Sequence, residues 1–232
     1  MQVKFGCSFT LNLGLSDSRI PLKLQWIENG TFLMGSSENE LWRDAYYSRP
    51  LREITLSHGF WIGQFPITQA QWQTTMQCLP AVSRKHSDCP IEIVNWYQAL
   101  SFCETLNAQF IDELPEGYIF SLPTNAQWEY VCRAGSTTTF YSGDSLEALS
   151  RIAWFSANSN NQLQPVGAKE PNAWGVYDMI GNVGEWCYDE ANEAPKTPQV
   201  DWIAEGPLYV PLRFVRNGSY LERPEDGIFN CS

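Results

Sequence analysis

Charged residues are scarce in this chain, and basic residues are scarcer than acidic ones. Asp, Glu, Lys and Arg make up 18% of the sequence, with 15 Lys and Arg against 26 Asp and Glu, which gives a net charge of −11. A surface of this sign repels the phosphate backbone of nucleic acids and attracts cations. General binding to nucleic acids is therefore not expected, whereas cations, including metal ions, are attracted.

Histidine and closely spaced cysteine pairs are also nearly absent. His58 and His86 are the two histidines, and none of the seven cysteines forms a Cys-X-X-Cys pair. Zinc centres and multi-histidine iron or copper centres need such clusters, so neither is expected. The odd number of cysteines favours free thiols, several of them buried as small apolar side chains, in a reducing compartment. A local disulfide between Cys78 and Cys89 is the alternative for an exported protein.

Long apolar segments are missing as well. No run reaches the roughly 18 apolar residues of a membrane span, and the N-terminal segment lacks the continuous apolar stretch of a secretory signal. These features predict a cytoplasmic protein without a membrane span. Apolar residues nevertheless make up 44% of the chain and aromatic residues 14%, which predicts one folded domain over residues 1–232.

Three capping boxes predict the starts of short helices. Thr68, Asn95 and Thr124 each precede a glutamine by three residues, and apolar residues follow at helical spacing. Short strands are predicted at residues 32–34, 52–56 and 60–62, and a strand-like segment at 212–220. The acidic, proline-rich segment 188–212 is interpreted as a long surface loop. Few short elements joined by irregular segments indicate an α+β fold.

The segment around residue 180 carries the first candidate site. Asp178 and Glu185 lie seven residues apart around a turn that contains Gly181. Carboxylates and backbone carbonyls are the oxygen ligands that Ca²⁺ prefers, so this spacing is compatible with a cation site. A turn stabilised by an Asp side chain, with a partly buried Glu that accepts backbone N–H bonds, remains the alternative.

In several segments the chain resembles the formylglycine-generating enzyme, or sulfatase-modifying factor, family. The resemblance covers about residues 25–232 and follows the family's order in segments 30–35, 60–72, 90–96, 121–130, 165–167, 171–179, 181–186 and 216–220. It implies a C-type-lectin-like fold with few regular elements and structural calcium. The implied calcium ligands are the side chains of Asp178 and Glu185 and the carbonyl groups of Gly181 and Val183. For a second family calcium site, Asn158 is the one ligand that can be placed.

The chain departs from the catalytic pattern of this family. The enzymes hold copper with two cysteines that follow a Gly-Ser-(Trp/Tyr) motif, whereas this chain has Glu222 and Gly227 at those positions. A thiolate pair is what holds Cu(I), so copper is not expected here. Gly184 stands where the family usually has Trp, and Ser219 is retained. The family's iron-dependent sulfoxide synthases need a histidine triad that two distant histidines do not supply.

These departures leave two hypotheses of different kinds. The first is a non-catalytic ligand- or protein-binding module, as in the variable proteins of diversity-generating retroelements and in sensor modules that share the fold. Its binding face is predicted around Gly184, Ser219, Tyr220, Glu222 and Arg223. The loss of a large side chain at Gly184 should leave a concavity, unless another side chain fills the gap.

The second hypothesis is a metal-dependent oxidase whose site has been rebuilt around Glu222.

The chain also ends before the closing C-terminal strand of the family. Either the sequence is cut short, or a larger assembly or a fusion partner supplies that strand.

Overall fold

The computed structural model describes residues 7–14, 19–36, 51–191, 197–204 and 212–224. The helices are α1 (Gln69–Met76), α2 (Trp96–Phe110), α3 (Asn125–Arg133) and α4 (Leu146–Ile152), and a 3₁₀ helix spans Ile111–Glu113. The strands are β1 (Phe9–Leu13), β2 (Ile20–Ile27), β3 (Gly30–Met34), β4 (Arg52–Leu56), β5 (Phe60–Gly63), β6 (Glu185–Glu190), β7 (Gln199–Val200) and β8 (Arg213–Arg216). Gly227 lies outside the described residues. None of the helices within them has the length and apolar character needed to cross a membrane.

The strands form three small sheets rather than one large one. The first has the order β1-β2-β5, the second β3-β4-β7 and the third β6-β8. Neighbouring strands are antiparallel except β4 and β7, which run parallel with Ile54 opposite Gln199 and Thr55 opposite Val200. Small separate sheets with helices and long irregular segments confirm the predicted α+β class.

All three predicted capping boxes are present. At α1 the Thr68 hydroxyl accepts a bond from the Gln71 amide (3.2 Å), and the Gln71 side chain accepts one from the Thr68 amide (2.9 Å). The same reciprocal pair begins α2 at Asn95 and α3 at Thr124. These bonds satisfy amide groups that the first helical turn leaves without partners, which is why the pattern marks a helix start.

The predicted loop at 188–212 is partly wrong. Residues 188–190 belong to β6, and the two-residue strand β7 lies within the segment. Asp189 is buried, and its carboxylate accepts bonds from the Asn125 amide (2.6 Å) and the Ala204 amide (2.7 Å). The Asn125 amide comes from a distant part of the chain and the Ala204 amide from elsewhere in the same segment, so an acidic composition did not indicate this buried strand.

The core consists mainly of two clusters. The first surrounds Trp128 and Phe155 and combines residues of α3, α4 and segment 176–187. The second surrounds Trp72 and Phe102 and joins β1 and β2 to α1 and α2. Buried aromatic groups also join separate elements, since the Trp96 Nε1–H of α2 donates to the Cys187 carbonyl of β6 (2.9 Å).

The cysteines of the described residues are all free. Cys89, Cys103, Cys132 and Cys187 are buried, which confirms the prediction of apolar packing, and Cys78 forms no disulfide with Cys89. Burial raises the pKa of the Cys103 thiol to about 12, so this side chain stays protonated near neutral pH.

Candidate functional site

The predicted metal turn, residues 178–185, is a tightly wound segment that leads into β6. Asp178, Gly181 and Asn182 all have left-handed backbone angles, with φ of 52°, 80° and 65°. The Asn182 amide donates to the Trp154 carbonyl (2.8 Å), which draws the turn against the chain after α4. A Cβ atom at Gly181 would lie 2.4 Å from that same carbonyl oxygen, so this position requires glycine.

Asn217, the residue after β8, binds both ends of this turn. Its Nδ2 donates to the Asp178 carbonyl (2.9 Å) and to the Val183 carbonyl (2.7 Å), and its own carbonyl accepts from the Gly181 amide (3.0 Å). The Tyr220 amide in turn donates to the Asn182 carbonyl (3.1 Å). The predicted metal turn and the predicted ligand segment are therefore one hydrogen-bonded unit.

The two carboxyl groups of the turn are both poorly hydrated. The Asp178 Oδ2 accepts a bond from the Gly167 amide (2.6 Å), and the Glu185 Oε2 accepts one from the Trp128 Nε1–H (2.6 Å). Burial raises the pKa of Asp178 to about 6 against the opposing effects of the Gly167 amide, the Asn182 side chain and Lys169. Burial, with a smaller contribution from the Asp178 charge, raises the pKa of Glu185 to about 7.

Unpartnered oxygen atoms in this region are compatible with a calcium ion. The Asp178 Oδ1 and the Asn217 Oδ1 are buried and have no hydrogen-bond partner among the described residues. Burying these oxygen atoms without partners costs free energy, and a bound cation would offset that cost. Carboxylate and amide oxygens are also the ligands that Ca²⁺ prefers. Since no three His, Cys, Asp or Glu side chains within the described chain cluster in a metal-binding arrangement, carbonyl oxygens would have to complete the site.

The carbonyl groups expected to bind calcium already accept one bond each. The Gly181 carbonyl accepts from the Val183 amide (2.9 Å), and the Val183 carbonyl accepts from the Asn217 side chain. A carbonyl oxygen has a second lone pair, so both remain able to bind a cation. Sequence reasoning missed Asn217, because its place before Gly218 is equally typical of an exposed turn.

Asn158, expected at a second calcium site, is used within its own loop. Its Oδ1 accepts a bond from the Phe155 amide (2.9 Å), and its Nδ2 donates to the Ala153 carbonyl (3.0 Å). Both ends of the side-chain amide thus stabilise the turn that follows α4. Its assignment as a calcium ligand stays a prediction.

The residues of the predicted binding face differ in exposure. Arg223 is exposed, Ser219 and Glu222 are partly buried, and Tyr220 is buried. The Tyr220 hydroxyl bonds the Ser83 hydroxyl (3.0 Å), so its side chain supports the segment from inside. The Glu222 Oε2 is buried without a hydrogen-bond partner among the described residues.

Gly184 lies on the wall of a cavity of about 340 Å³. A Cβ atom at this position would lie 2.9 Å from the Val215 Cγ1, so the Val215 side chain occupies part of the space beside the glycine. Both alternatives expected for Gly184 are therefore visible together, a concavity on one side and a neighbouring side chain on the other.

A buried ion network joins β8 to α3 next to this unit. Glu129 accepts bonds from the Gly35 amide (2.8 Å), the Arg133 Nε (3.0 Å) and the Arg216 Nη2 (3.0 Å). Arg216 also donates to the Asn125 side chain (2.5 Å). The network fixes the start of segment 216–223, and the sequence signalled it only through the helical spacing of Glu129 and Arg133.

Comparison with protein families places this arrangement among known domains. The family model described as "sulfatase-modifying factor enzyme 1-like domain" matches residues 19–228. The chaperone protein LppX of Paenibacillus barcinonensis is 29% identical over 247 residues, covering 86% of this chain and 81% of that protein. The serine/threonine-protein kinase pkn1 of Chlamydia pneumoniae is 26% identical, but the chain spans only 33% of its length. The mouse formylglycine-generating enzyme is 28% identical over 169 residues, covering 67% of this chain and 41% of that enzyme.

Solved structures share the fold. Treponema denticola variable protein 1 superposes with a TM-score of 0.77 at 23% identity, covering 97% of this chain and 91% of that chain. PvdO from Pseudomonas aeruginosa superposes with a TM-score of 0.78 at 21% identity, covering 97% of this chain and 90% of that chain. These similarities confirm the predicted C-type-lectin-like fold of the formylglycine-generating enzyme type.

Proposed function

Because the chain belongs to the sulfatase-modifying factor enzyme 1-like family, we propose that it is a non-catalytic ligand- or protein-binding domain with a structural calcium ion. The observation that carries this proposal is the residue at position 222. A carboxylate there, with Gly227 at the second cysteine position, cannot replace the thiolate pair that would hold Cu(I).

The surroundings of Glu222 favour recognition of a ligand. Its amide donates to the Ser219 carbonyl (3.2 Å), and its carbonyl accepts from the Ser156 amide (3.0 Å), so the backbone at this position is held on both sides. The Oε2 atom is buried and lacks a partner among the described residues. A buried acceptor without a partner is costly. Because Glu222 as a whole is only partly buried, a turn of its side chain would present this oxygen to a donor group of a bound ligand and relieve that cost.

The proposed binding face combines this acceptor with its neighbours. Arg223 supplies an exposed cation beside Glu222, and Ser219 supplies a partly buried hydroxyl. Gly184 supplies the recess, whereas Tyr220 holds the segment through Ser83. A ligand with a hydrogen-bond donor next to an anionic or acceptor group is complementary to this set.

The proposed calcium ion would stabilise the scaffold beneath this face. The side chains of Asp178 and Glu185 and the carbonyl groups of Gly181 and Val183 would hold it, with the unpartnered Asn217 Oδ1 beside them. A divalent cation there offsets the burial of two carboxylates. Since the same turn is bonded to residues 217 and 220, calcium would also order the binding face.

A direct assay separates this proposal from a rebuilt oxidase. A sulfatase-type Cys-X-Pro-X-Arg peptide is incubated with the protein, copper and O₂, and aldehyde is measured by mass spectrometry. We expect no aldehyde above a control without protein, and no tight Cu(I) binding. As a matched gain-of-function control, the double variant Glu222→Cys/Gly227→Cys should acquire Cu(I) affinity. Aldehyde formed by the unmodified protein would overturn the non-catalytic assignment.

Site-directed crosslinking tests the binding face in the native host. A photoreactive amino acid replaces Arg223 on the face or Glu104, which is exposed on α2, as the control position. We expect a discrete adduct from position 223 that position 104 does not give. Adducts of equal yield at both positions, or from position 104 alone, would remove the assignment of this face.

A further inference from the structure

An aromatic cavity of about 340 Å³ lies between the two main core clusters and meets the proposed binding face at Gly184. Its volume falls within the range of natural small-molecule pockets, roughly 300 to 1,000 Å³. Tryptophan rings from three elements line it, namely Trp61 of β5, Trp128 of α3 and Trp186 of β6. The recess at Gly184 therefore continues into an internal space that is walled by aromatic rings.

Glu185 is the one side chain of this wall that carries a charge near neutral pH. No Lys, Arg, His or Asp and no second Glu of the described residues lines the cavity. The Cys103 thiol does line it, but burial raises the pKa of this thiol to about 12, so it stays protonated. The cavity thus combines a largely aromatic and aliphatic wall with a single carboxyl group.

The two oxygen atoms of Glu185 have different surroundings. The Oε2 atom accepts a bond from the Trp128 Nε1–H (2.6 Å). The Oε1 atom has no hydrogen-bond partner among the described residues and, unlike the Asp178 Oδ1, is not fully buried. Because the group is enclosed by protein and lines the cavity, the accessible surface of Oε1 belongs to that internal space. The cavity therefore contains a free acceptor whose position is fixed by the bond at the other oxygen.

No basic side chain of the described residues forms an ion pair with this carboxyl group. Arg216 lies opposite Glu185 in the β6–β8 pair, but its guanidinium binds Glu129 (3.0 Å) and the Asn125 side chain (2.5 Å). Burial raises the pKa of Glu185, and the Asp178 charge adds to this effect. A cation in the cavity would pair with a carboxylate that is otherwise buried without a counter-charge, whereas an anion would be strongly disfavoured.

The tryptophan rings of the wall favour the same kind of ligand. The Trp61 Nε1–H donates to the Cys7 carbonyl (2.8 Å), and the Trp186 Nε1–H donates to the Val94 carbonyl (2.9 Å). Since the Trp128 N–H is also used by Glu185, these three indoles offer a ligand their π electrons rather than a donor. Such π systems attract ammonium groups, and Trp attracts them most strongly.

The cavity has an entrance beside segment 114–123. Ile119 lines the cavity and is 68% exposed, which places it at the mouth. The segment is held from both sides, since the Tyr118 hydroxyl donates to the Gly59 carbonyl (2.9 Å) and Phe120 exchanges two bonds with Asn107 (2.7 and 2.8 Å). The wall is thus preformed, which limits the ordering that binding would require.

From this geometry we propose that the cavity binds a primary amine that carries an aromatic group. The ammonium group donates to the Glu185 Oε1, and the aromatic group packs against the tryptophan rings. This inference rests on the proposed function, because Gly184 belongs to both the cavity and the binding face and the amine is bound without being changed. The proposed calcium ion would share Glu185 with the amine, so each should weaken the binding of the other.

Three matched probes test the proposal on the full chain, in EDTA and at pH 8, where Glu185 is mainly ionised. Naphthylmethylamine, naphthylmethanol and ethylnaphthalene have similar shapes and carry an ammonium, a hydroxyl or a methyl group at the same place. Equilibrium dialysis at about 150 mM salt screens the diffuse charge of the chain. We expect the amine to bind saturably at one site, about tenfold tighter than the alcohol, because charge-assisted hydrogen bonds are the stronger ones. Equal affinities of amine and alcohol, or no saturable binding of the amine, would overturn the proposal.

Two variants test the position of the ammonium group. Glu185→Gln keeps an acceptor for Trp128 and removes the charge, so the amine should lose its advantage while the affinity for the alcohol changes less than about twofold. Glu104→Gln, an exposed change on α2, should leave the advantage intact. If Glu185→Gln keeps the advantage of the amine, the assigned contact is wrong.

A second pair of variants locates the aromatic group. Ala99 lines the cavity, so Ala99→Phe should weaken the amine and the alcohol by about tenfold or more by filling the space. Ala108→Phe, exposed on the same helix, should change neither. If Ala99→Phe is folded by circular dichroism and binds the amine as before, the site is wrong. None of these measurements uses Arg223 or calcium, so the inference and the proposed function fail separately.

Discussion

Gly181 and Gly135 have almost the same backbone conformation in very different surroundings. Their φ angles are 80° and 86°, in the left-handed region where any side chain is strained. A Cβ atom at Gly135 would meet nothing within 4 Å, whereas one at Gly181 would lie 2.4 Å from the Trp154 carbonyl oxygen. A side chain at Gly135 would therefore suffer only the strain of the left-handed conformation, whereas one at Gly181 would also collide with the backbone at Trp154.

Substitution at these two glycines should give unequal losses of stability. Gly135→Ala should lower the free energy of unfolding by about 1–2 kcal/mol, the usual cost of the left-handed conformation. Gly181→Ala should cost at least about 2 kcal/mol more, because the backbone at Trp154 must move. Urea denaturation of both variants measures the difference. Equal losses would mean that the turn is not held against Trp154 as the structure has it.

Single residues also mark the limit of the sequence analysis at the candidate site. The spacing of Asp178 and Glu185 was sufficient to select them. Asn217 was missed, because nothing local distinguishes a buried amide that binds carbonyl groups 34 and 39 residues away from an exposed Asn-Gly turn. The burial of Tyr220 also depends on Ser83, a partner far along the chain.

At the scale of elements, local signals predicted helices better than strands. Each capping box is completed within four residues, so Thr68, Asn95 and Thr124 could be recognised without tertiary context. β4 was predicted with its observed limits, and the predicted strands at 32–34 and 60–62 lie within β3 and β5. β1, β2 and α4 were not predicted. β6 was missed because the Asp189 carboxylate is bound by amides 64 and 15 residues away, which composition does not reveal.

The turn that enters β6 should make stability depend on pH in a chelator. Burial raises the pKa of Asp178 to about 6 and that of Glu185 to about 7, above their usual values. Between the usual carboxyl pKa values and these raised ones, the folded state binds more protons than the unfolded state. The contribution of the two groups to the free energy of unfolding is therefore full at low pH and is lost as the pH rises through 6 and 7. The free energy of unfolding of Glu185→Gln, minus that of the unmodified protein, should therefore increase from pH 5 to pH 8.

Urea denaturation in EDTA at both pH values tests this dependence. Glu104→Gln, an exposed change on α2, is the control and should give no such difference. A difference between Glu185→Gln and the unmodified protein that shrinks toward pH 8 would contradict the assignment of a destabilised carboxylate at position 185.

At the scale of the whole molecule, stability depends on contacts between small, separate units. The three sheets share no strand, and the two main core clusters meet around the cavity. The turn 178–185, the end of β8 and the loop after α4 are joined by hydrogen bonds of Asn217 and Asn182. A ligand or ion bound where these units meet would stabilise the fold as a whole.

Calcium should therefore raise the melting temperature of the protein. At a calcium concentration 100 times its Kd, binding to the folded state alone adds about 2.7 kcal/mol. For a chain of this size that corresponds to a rise of roughly 5–10 °C over the same protein in EDTA, measured by calorimetry. Glu185→Gln should lose this response, whereas Glu104→Gln should retain it. Identical melting curves with calcium and with EDTA would remove the ion from the proposal.

The parallel pairing of β4 with β7 has a consequence for folding during synthesis on the ribosome. β4 is synthesised early, and its partner residues Gln199 and Val200 follow only after the fully buried residues of both main core clusters have been translated. At an elongation rate of about 5–20 residues per second the interval is on the order of ten seconds. During that time one edge of β4 has no strand to pair with and is open to other nascent chains. Chaperone demand should thus be greatest between translation of β4 and release of residue 200.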